Sequence, residues 1–277
     1  MTELVAVFPT PGPQVRRVPL DRPWVWMARG WSDLLRKPAL SLSIGAAVAA
    51  AGIGLKIATW LTGAIYLLLP LTAGFFFVAP LIAVGLYEIS RRLGAGDAVS
   101  GWNVLLAWRR NTSQIALMGL VLMLAHLVWV RVATLLFALF FVGATPSFER
   151  LFDALVFSPV SISFLVTGSV VGLVLGSIIF AISVISIPML IDRDVGAITA
   201  MATSLTAVRT NLPAMGLWAA LIVGFTAAGL ATFYLGLIVV LPLLGHASWH
   251  AYKDLVEEIN GKPGRQEESE RARWQLA

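Results

Sequence analysis

Two histidines four residues apart, His246 and His250, stand near the end of an apolar stretch that runs from Leu235 to Leu255, beside Pro242, Trp249, Tyr252 and Lys253. On a helix this spacing places both imidazoles on one face, a turn apart. Two neutral imidazoles so placed can chelate a metal. Further ligands would come from Glu88, Asp192 and Asp194, each at the end of another apolar stretch. Proton movement is a second chemistry open to these rings, because an imidazole titrates near neutral pH. The plainer alternative is a solvated, hydrogen-bonded rim at a membrane surface.

A second polar pair, His126 and Arg131, lies inside an apolar segment. An ionisable group there marks a functional site by default. For His126 the alternative is a neutral ring bonded to a neighbouring helix, whereas Arg131 lies far enough along to approach the bilayer boundary. The chain has no cysteine, so disulfides, thiolate metal sites, iron–sulfur ligation and cysteine nucleophiles are excluded. It shows no Ser–His–acid set, phosphate loop or HExxH motif, and is expected not to be an enzyme. No cofactor is predicted beyond the metal or haem that the histidine pair leaves open.

The elements that must position these residues are membrane spans. Hydrophobic residues make up 58% of the 277, charged residues 13%, and the mean hydropathy is +0.84. Soluble domains are nearer half apolar and a quarter charged, so the first partner of this chain is the lipid bilayer. From Pro38 to Tyr87 the only charge is Lys56. As one helix at ~1.5 Å per residue that stretch would far exceed a hydrocarbon core of ~30 Å. It must turn once, at Thr62 and Gly63, giving spans of about 39–60 and 64–87, with Lys56 near the far end where its stem carries the ammonium to the interface. The uncharged run Thr210–Tyr252 demands a second turn near Phe233 and Tyr234, and spans of about 212–232 and 235–252. Two more spans fall at about 115–142 and 162–191.

Three stretches interleave apolar with basic or polar residues and precede the odd-numbered spans. WVWMARGWSDLLRKP (Trp24–Pro38) has the aromatic and basic mixture that the headgroup layer accepts. Val99, Trp102, Leu105 and Leu106 recur at helical intervals and predict a second interfacial helix, and Ala197–Arg209 a third. A loop over Gly143–Ser161, with Glu149, Arg150 and Asp153, contains SFERLFDALVF and predicts a short amphipathic helix on the opposite side. With the N-terminus in the cytoplasm, every Lys and Arg except Lys56, Arg131 and Arg150 falls inside, which predicts an N-in, C-in topology. The net charge of +5 is then a topology signal, and nucleic acid is not an expected partner. The expected fold is an all-α membrane protein of six transmembrane helices, arranged as three helical hairpins with interfacial amphipathic helices. Residues 1–23 form a flexible Pro/Arg-rich leader, 24–255 the membrane domain and 256–277 a soluble tail.

An internal repeat underlies this plan. Asp97 stands as far before Met118-Gly-Leu as Asp194 before Met215-Gly-Leu, and Gly30–Leu40 takes the same place before the first span. Pro80, Pro188 and Pro242 mark the three even-numbered spans. A proline removes a helix hydrogen bond. Bent helices in repeated units point to a transport site, or are packing kinks. Gly168, Gly172 and Gly176 form a doubled small-xxx-small groove, suited to close helix approach within the chain or to a homodimer seam.

The blocks GLYEISRRL (Gly85–Leu93), IPMLIDRDVGAITAM (Ile187–Met201) and VVLPLLGHASWHAYKDL (Val239–Leu255) resemble the signature blocks of a family of bacterial predicted integral membrane proteins of unknown function. The resemblance covers Trp31 to Leu255. It implies a multi-pass protein of the bacterial inner membrane and supplies no catalytic residue. Some members carry a cytochrome c oxidase subunit label, yet a haem–copper catalytic subunit needs more spans and more intramembrane ligands than three histidines provide. The expected function is an accessory, assembly or scaffold subunit of a membrane complex, respiratory if that label holds, working with a membrane-protein partner or a second copy. A small-solute or ion transporter is the alternative, and a metal- or haem-binding membrane protein the next.

Overall fold

Proline in the first turn opens two successive helices, where a missing amide costs no helical hydrogen bond: α1 (Arg22–Arg36) and α2 (Pro38–Leu61). There follow α3 (Leu68–Ile82), α4 (Val84–Ala95), the short α5 (Gly101–Leu105), the 3-10 turn η1 (Ala107–Arg110) and α6 (Thr112–Phe140). The chain continues with α7 (Ser161–Ser183), α8 (Ser186–Asp192), α9 (Ala197–Thr210), α10 (Leu212–Ala231) and α11 (Leu237–Leu255). This computed structural model describes residues 13–64, 67–141 and 160–257. Within them the fold is all-α, with one isolated bridge between Val15 and Val256. The SFERLFDALVF segment and the tail from residue 258 lie outside the described residues.

Among the described residues, four helical stretches are long and apolar enough to cross a membrane: α2, α6, Ser161–Asp192 and α10. The remaining two expected spans are more interrupted or more polar. α3 gives way to α4 at Ala83, within a turn of Pro80. Between α7 and α8 the helix is interrupted one turn ahead of Pro188, which has no amide to give to the carbonyl of Val184. α11 keeps Pro242 inside a continuous helix but carries the histidines and charges at its end. The two predicted turns are visible in the backbone. Gly63 takes φ +68°, and Phe233 and Tyr234 take φ 52° and 69°. Non-glycine residues hold such angles only when their surroundings impose them. Here the Tyr234 ring lies over Gly52 and its hydroxyl shares a 3.0 Å hydrogen bond with Thr72.

The short elements share one end of the bundle, and each packs on a helix from another copy of the repeat. α1 lies on α11, α5 and η1 on α4, and α9 on α7 and α8. One device recurs at two of these junctions. Asn111 donates to the carbonyl of Val195 at 3.0 Å, and Gln114 accepts from the amide of Ala197, holding the lead-in to α9. Asn211 accepts from the amide of Val18 at 2.8 Å and donates to the carbonyl of Arg16 at 2.9 Å, holding the lead-in to α1. The repeat therefore closes on itself, first copy against third. Met118 and Met215, matched in the sequence repeat, are both buried.

One expectation needs correcting. From Gln14 the leader is extended, as its prolines predict, but docked: Arg16 donates to the Leu255 carbonyl at 2.8 Å and Glu257 to that of Gln14 at 2.9 Å. The second short helix turns the large apolar residues of its spacing outward, as an interfacial helix does, and packs inward through smaller ones. Trp102 and Leu105 are 69% and 70% exposed, whereas Val104 and Ala107 are buried. The reason is steric: Val104 presses on Gly85 of α4, where a larger side chain would not fit. Likewise α1 turns Trp26, Gly30, Asp33 and Leu34 inward and leaves Trp24, Trp31 and Leu35 outward.

Candidate functional site

The polar end of α11 meets α1, α2, α4 and α8, and nearly every candidate residue there is held by a partner within the chain. His246 is fully buried. Its Nε2 shares a 2.9 Å hydrogen bond with Ser41 of α2 and its Nδ1 a 2.8 Å bond with Ser90 of α4. The ring is thus clamped between a hydroxyl of α2 and one of α4. One turn on, His250 shares a 2.8 Å bond with Asp33 of α1. The two histidines thus bond to different helices. Among the described residues no three His, Asp or Glu side chains gather in a metal-binding arrangement.

The acids are similarly engaged. Glu88, 1% exposed, accepts from Arg91 at 2.8 and 3.0 Å and from Arg92 at 2.6 Å, with Arg110 of η1 at 3.8 Å. Burial pushes its carboxyl up, but the hydrogen bonds and charges of these arginines hold it below the ordinary carboxylate range. Arg110 also donates to the carbonyl of Ile191, tying η1 to the end of α8. Asp192 accepts from the Tyr252 hydroxyl at 2.7 Å and lies 3.4 Å from Lys253. Trp249 is buried beside Tyr252, ring centroids 5.5 Å apart. Asp194 is exposed in the link between α8 and α9.

Sequence reasoning missed Asp33, Asp254, Ser41 and Ser90. Asp254 takes Arg22 at 2.6 and 2.7 Å and the Trp26 indole at 2.9 Å, welding α1 to α11. Burial raises the carboxyls of Asp33 and Asp254. The bonds from His250 and Ser90 on one, and from Arg22 and Trp26 on the other, outweigh it and leave both lowered. A signal was available for Asp33: it follows Trp26 and Gly30 at helical spacing, on the face of α1 that had to be buried.

The mid-span candidates do not join one path. The His126 ring of α6 lies against Gly74 of α3 so closely that a methyl group there would overlap it, and its Nδ1 is buried without a partner among the described residues. Arg131 is exposed on the outside of α6. Of the three groove glycines, Gly172 faces the Trp129 ring, whereas a methyl group at Gly168 or Gly176 would meet nothing within 4 Å.

Gly176 instead lines an apolar cavity of about 490 Å³. Its walls come from α3, α4, α6, α7, α9, α10 and α11, Pro80, Trp129, Met215 and Leu241 among them. Tyr87 and Ser248 supply hydroxyls to the lining, the latter donating to the Leu244 carbonyl at 2.8 Å. The volume falls within the range of small-molecule sites.

Residues 68–192 match a family described as "Predicted integral membrane protein (DUF2189)", a description that names no activity and no oxidase role. No curated protein and no solved structure matches the chain.

Proposed function

From membership of that matched segment in an integral membrane family, and from the polar end just described, we propose a six-span protein of the bacterial inner membrane. Its spans form three hairpins, both termini lie on the cytoplasmic side, and it acts by binding as an accessory, assembly or scaffold subunit of a membrane complex. The supporting observation is that Glu88, Asp192, His246 and His250 are each spent on bonds within the chain. Such groups stiffen a scaffold and are not poised for turnover. The reading calls for no cofactor, and the distribution of Lys and Arg supports the orientation. Transport is less well supported, since His126 and Arg131 point to different surroundings.

The test is to solubilise native membranes in a mild detergent, recover the tagged full chain and weigh the intact assembly by native mass spectrometry. A second membrane protein in fixed ratio is expected. Recovery of the chain alone, or only as copies of itself, overturns the accessory role.

A further inference from the structure

We propose that the cleft between α7 and α10 is a binding site for the hydrocarbon chain of a membrane lipid. The copies of the repeat meet at three equivalent seams, each joining an even-numbered span to the odd-numbered span of the next copy. Two are closed: α2 packs on α11, and α3 on α6. The third, α7 with α10, is not among the packed pairs, and the cavity lies in its place.

The glycines report the same difference independently of the cavity. Gly45 lies under the Ile238 carbonyl of α11 and Gly74 under the His126 ring, so both closed seams need a bare backbone. Gly176 on α7 and Gly216 on α10 line the cleft with nothing within 4 Å of where a methyl group would sit.

Three properties of the cleft select the occupant. No charged residue lines it, so an ion or a phosphate headgroup would be left uncompensated inside. Its mouth is set by Leu173 and Val223, 71% and 53% exposed in the middle of apolar helices, so the medium at the mouth is lipid. Its volume is far below that of a helix about 10 Å across with its side chains, so a partner helix or a second copy can cover the mouth but not fill the interior. The lining is mostly apolar with a few hydroxyls, which disfavours water over most of the space, and a void forfeits the dispersion contacts of its walls. A slender hydrocarbon chain enters from the bilayer, fills the space and reaches Phe77, Ala83 and Leu244 at the buried wall.

The full chain is reconstituted in phosphatidylcholine vesicles doped with a phosphatidylcholine that carries a diazirine on one acyl chain, irradiated and mapped by peptide mass spectrometry. Label is expected to concentrate on the cleft faces of α7 and α10. Gly176→Leu and Gly216→Leu place bulk in open space, and each should lower that label about tenfold, the loss expected when two or so methylenes are displaced from an apolar site. Gly168→Leu sits on the same helix, also in open space but away from the cleft, and should leave it unchanged. Label spread over all outward faces in proportion to exposure in the wild type, which needs no variant to fold, overturns the proposal. So does cleft labelling that Gly176→Leu and Gly216→Leu do not change. The chain has no native cysteine, so high-yield cross-linking of two copies through Gly176→Cys, with the lipid probe excluded, would assign the seam to a second copy instead. None of these outcomes depends on whether an accessory partner is found.

Discussion

The seam between α3 and α6 and the seam between α7 and α10 occupy equivalent places in the repeat, but they are built differently. In the first, the His126 ring seats on Gly74, Trp129 donates to the Pro70 carbonyl at 2.9 Å, and Trp129 and Phe77 meet edge to face at 6.2 Å. In the second, small residues are present but nothing seats on them. Glycine in a membrane helix permits close approach; it does not bring a partner. What closes a seam is a side chain or carbonyl from the opposite helix shaped to the gap. Large aromatic groups supply that in one seam, the tight backbone contact of Gly45 with α11 supplies it in another, and the third lacks it.

The largest expected effect separates closed from open directly. Gly45→Leu forces a side chain into the Ile238 carbonyl and should cost about 3 kcal/mol or more by overpacking, seen as lost folded yield and a lower Tm in detergent. Gly216→Leu should lie within about 0.5 kcal/mol of the native chain, like a surface change. Equal losses in the two variants would mean that the third seam is packed after all.

Next comes the weld that holds α1 on α11. Asp254→Ala leaves the Trp26 indole and Arg22 without their acceptor and should destabilise by about 1–3 kcal/mol, read by thermal unfolding. The same contact gives a pH dependence. Asp33, Glu88 and Asp254 titrate below their ordinary range when folded. The stability they add is therefore present above the usual carboxylate pKa of about 4 and is lost as pH falls through the lower folded values. Acid should release the α1 end before it alters the mid-span seams, and hydrogen exchange resolved by segment reads that order.

A smaller effect tests the recurring asparagine. Asn211→Ala removes the side chain that holds Arg16 and Val18, at about 1 kcal/mol for the bonds lost. It should expose Arg16 and Arg17 to trypsin, whereas Asn111→Ala, which acts on Val195, should leave that cleavage slow. Equal protection of Arg16 and Arg17 in both variants would remove the clamp from the account.

Much of the fold was legible because a membrane makes length and charge decisive. Long uncharged runs interrupted at Gly63 and at Phe233–Tyr234 yield turns where the backbone adopts left-handed angles, and the methionine repeat foretells two equivalent buried positions. The site was less legible. His246 and His250 share a helix face at the level of spacing, yet α1, α2 and α4 arrive from different directions and divide them between Asp33 and the two serines. Serine carries no distinctive signal in an apolar run, so Ser41 and Ser90 could not be singled out. The open seam was hidden for a related reason: Gly45, Gly74 and Gly176 look alike in sequence, and only the opposite helix distinguishes them.

The most direct test is access of lipid to the third seam. The full chain bearing a single small fluorophore at Gly216→Cys is placed in nanodiscs whose phosphatidylcholine has brominated acyl chains, which quench on contact. Leu124→Cys, an exposed site on α6, sets the open limit, and Gly119→Cys, which meets Leu81 across the α3 and α6 seam, sets the closed one. An open seam predicts quenching at Gly216 equal to that at Leu124. Protection equal to that at Gly119 would show that α7 and α10 are packed, and would contradict the account.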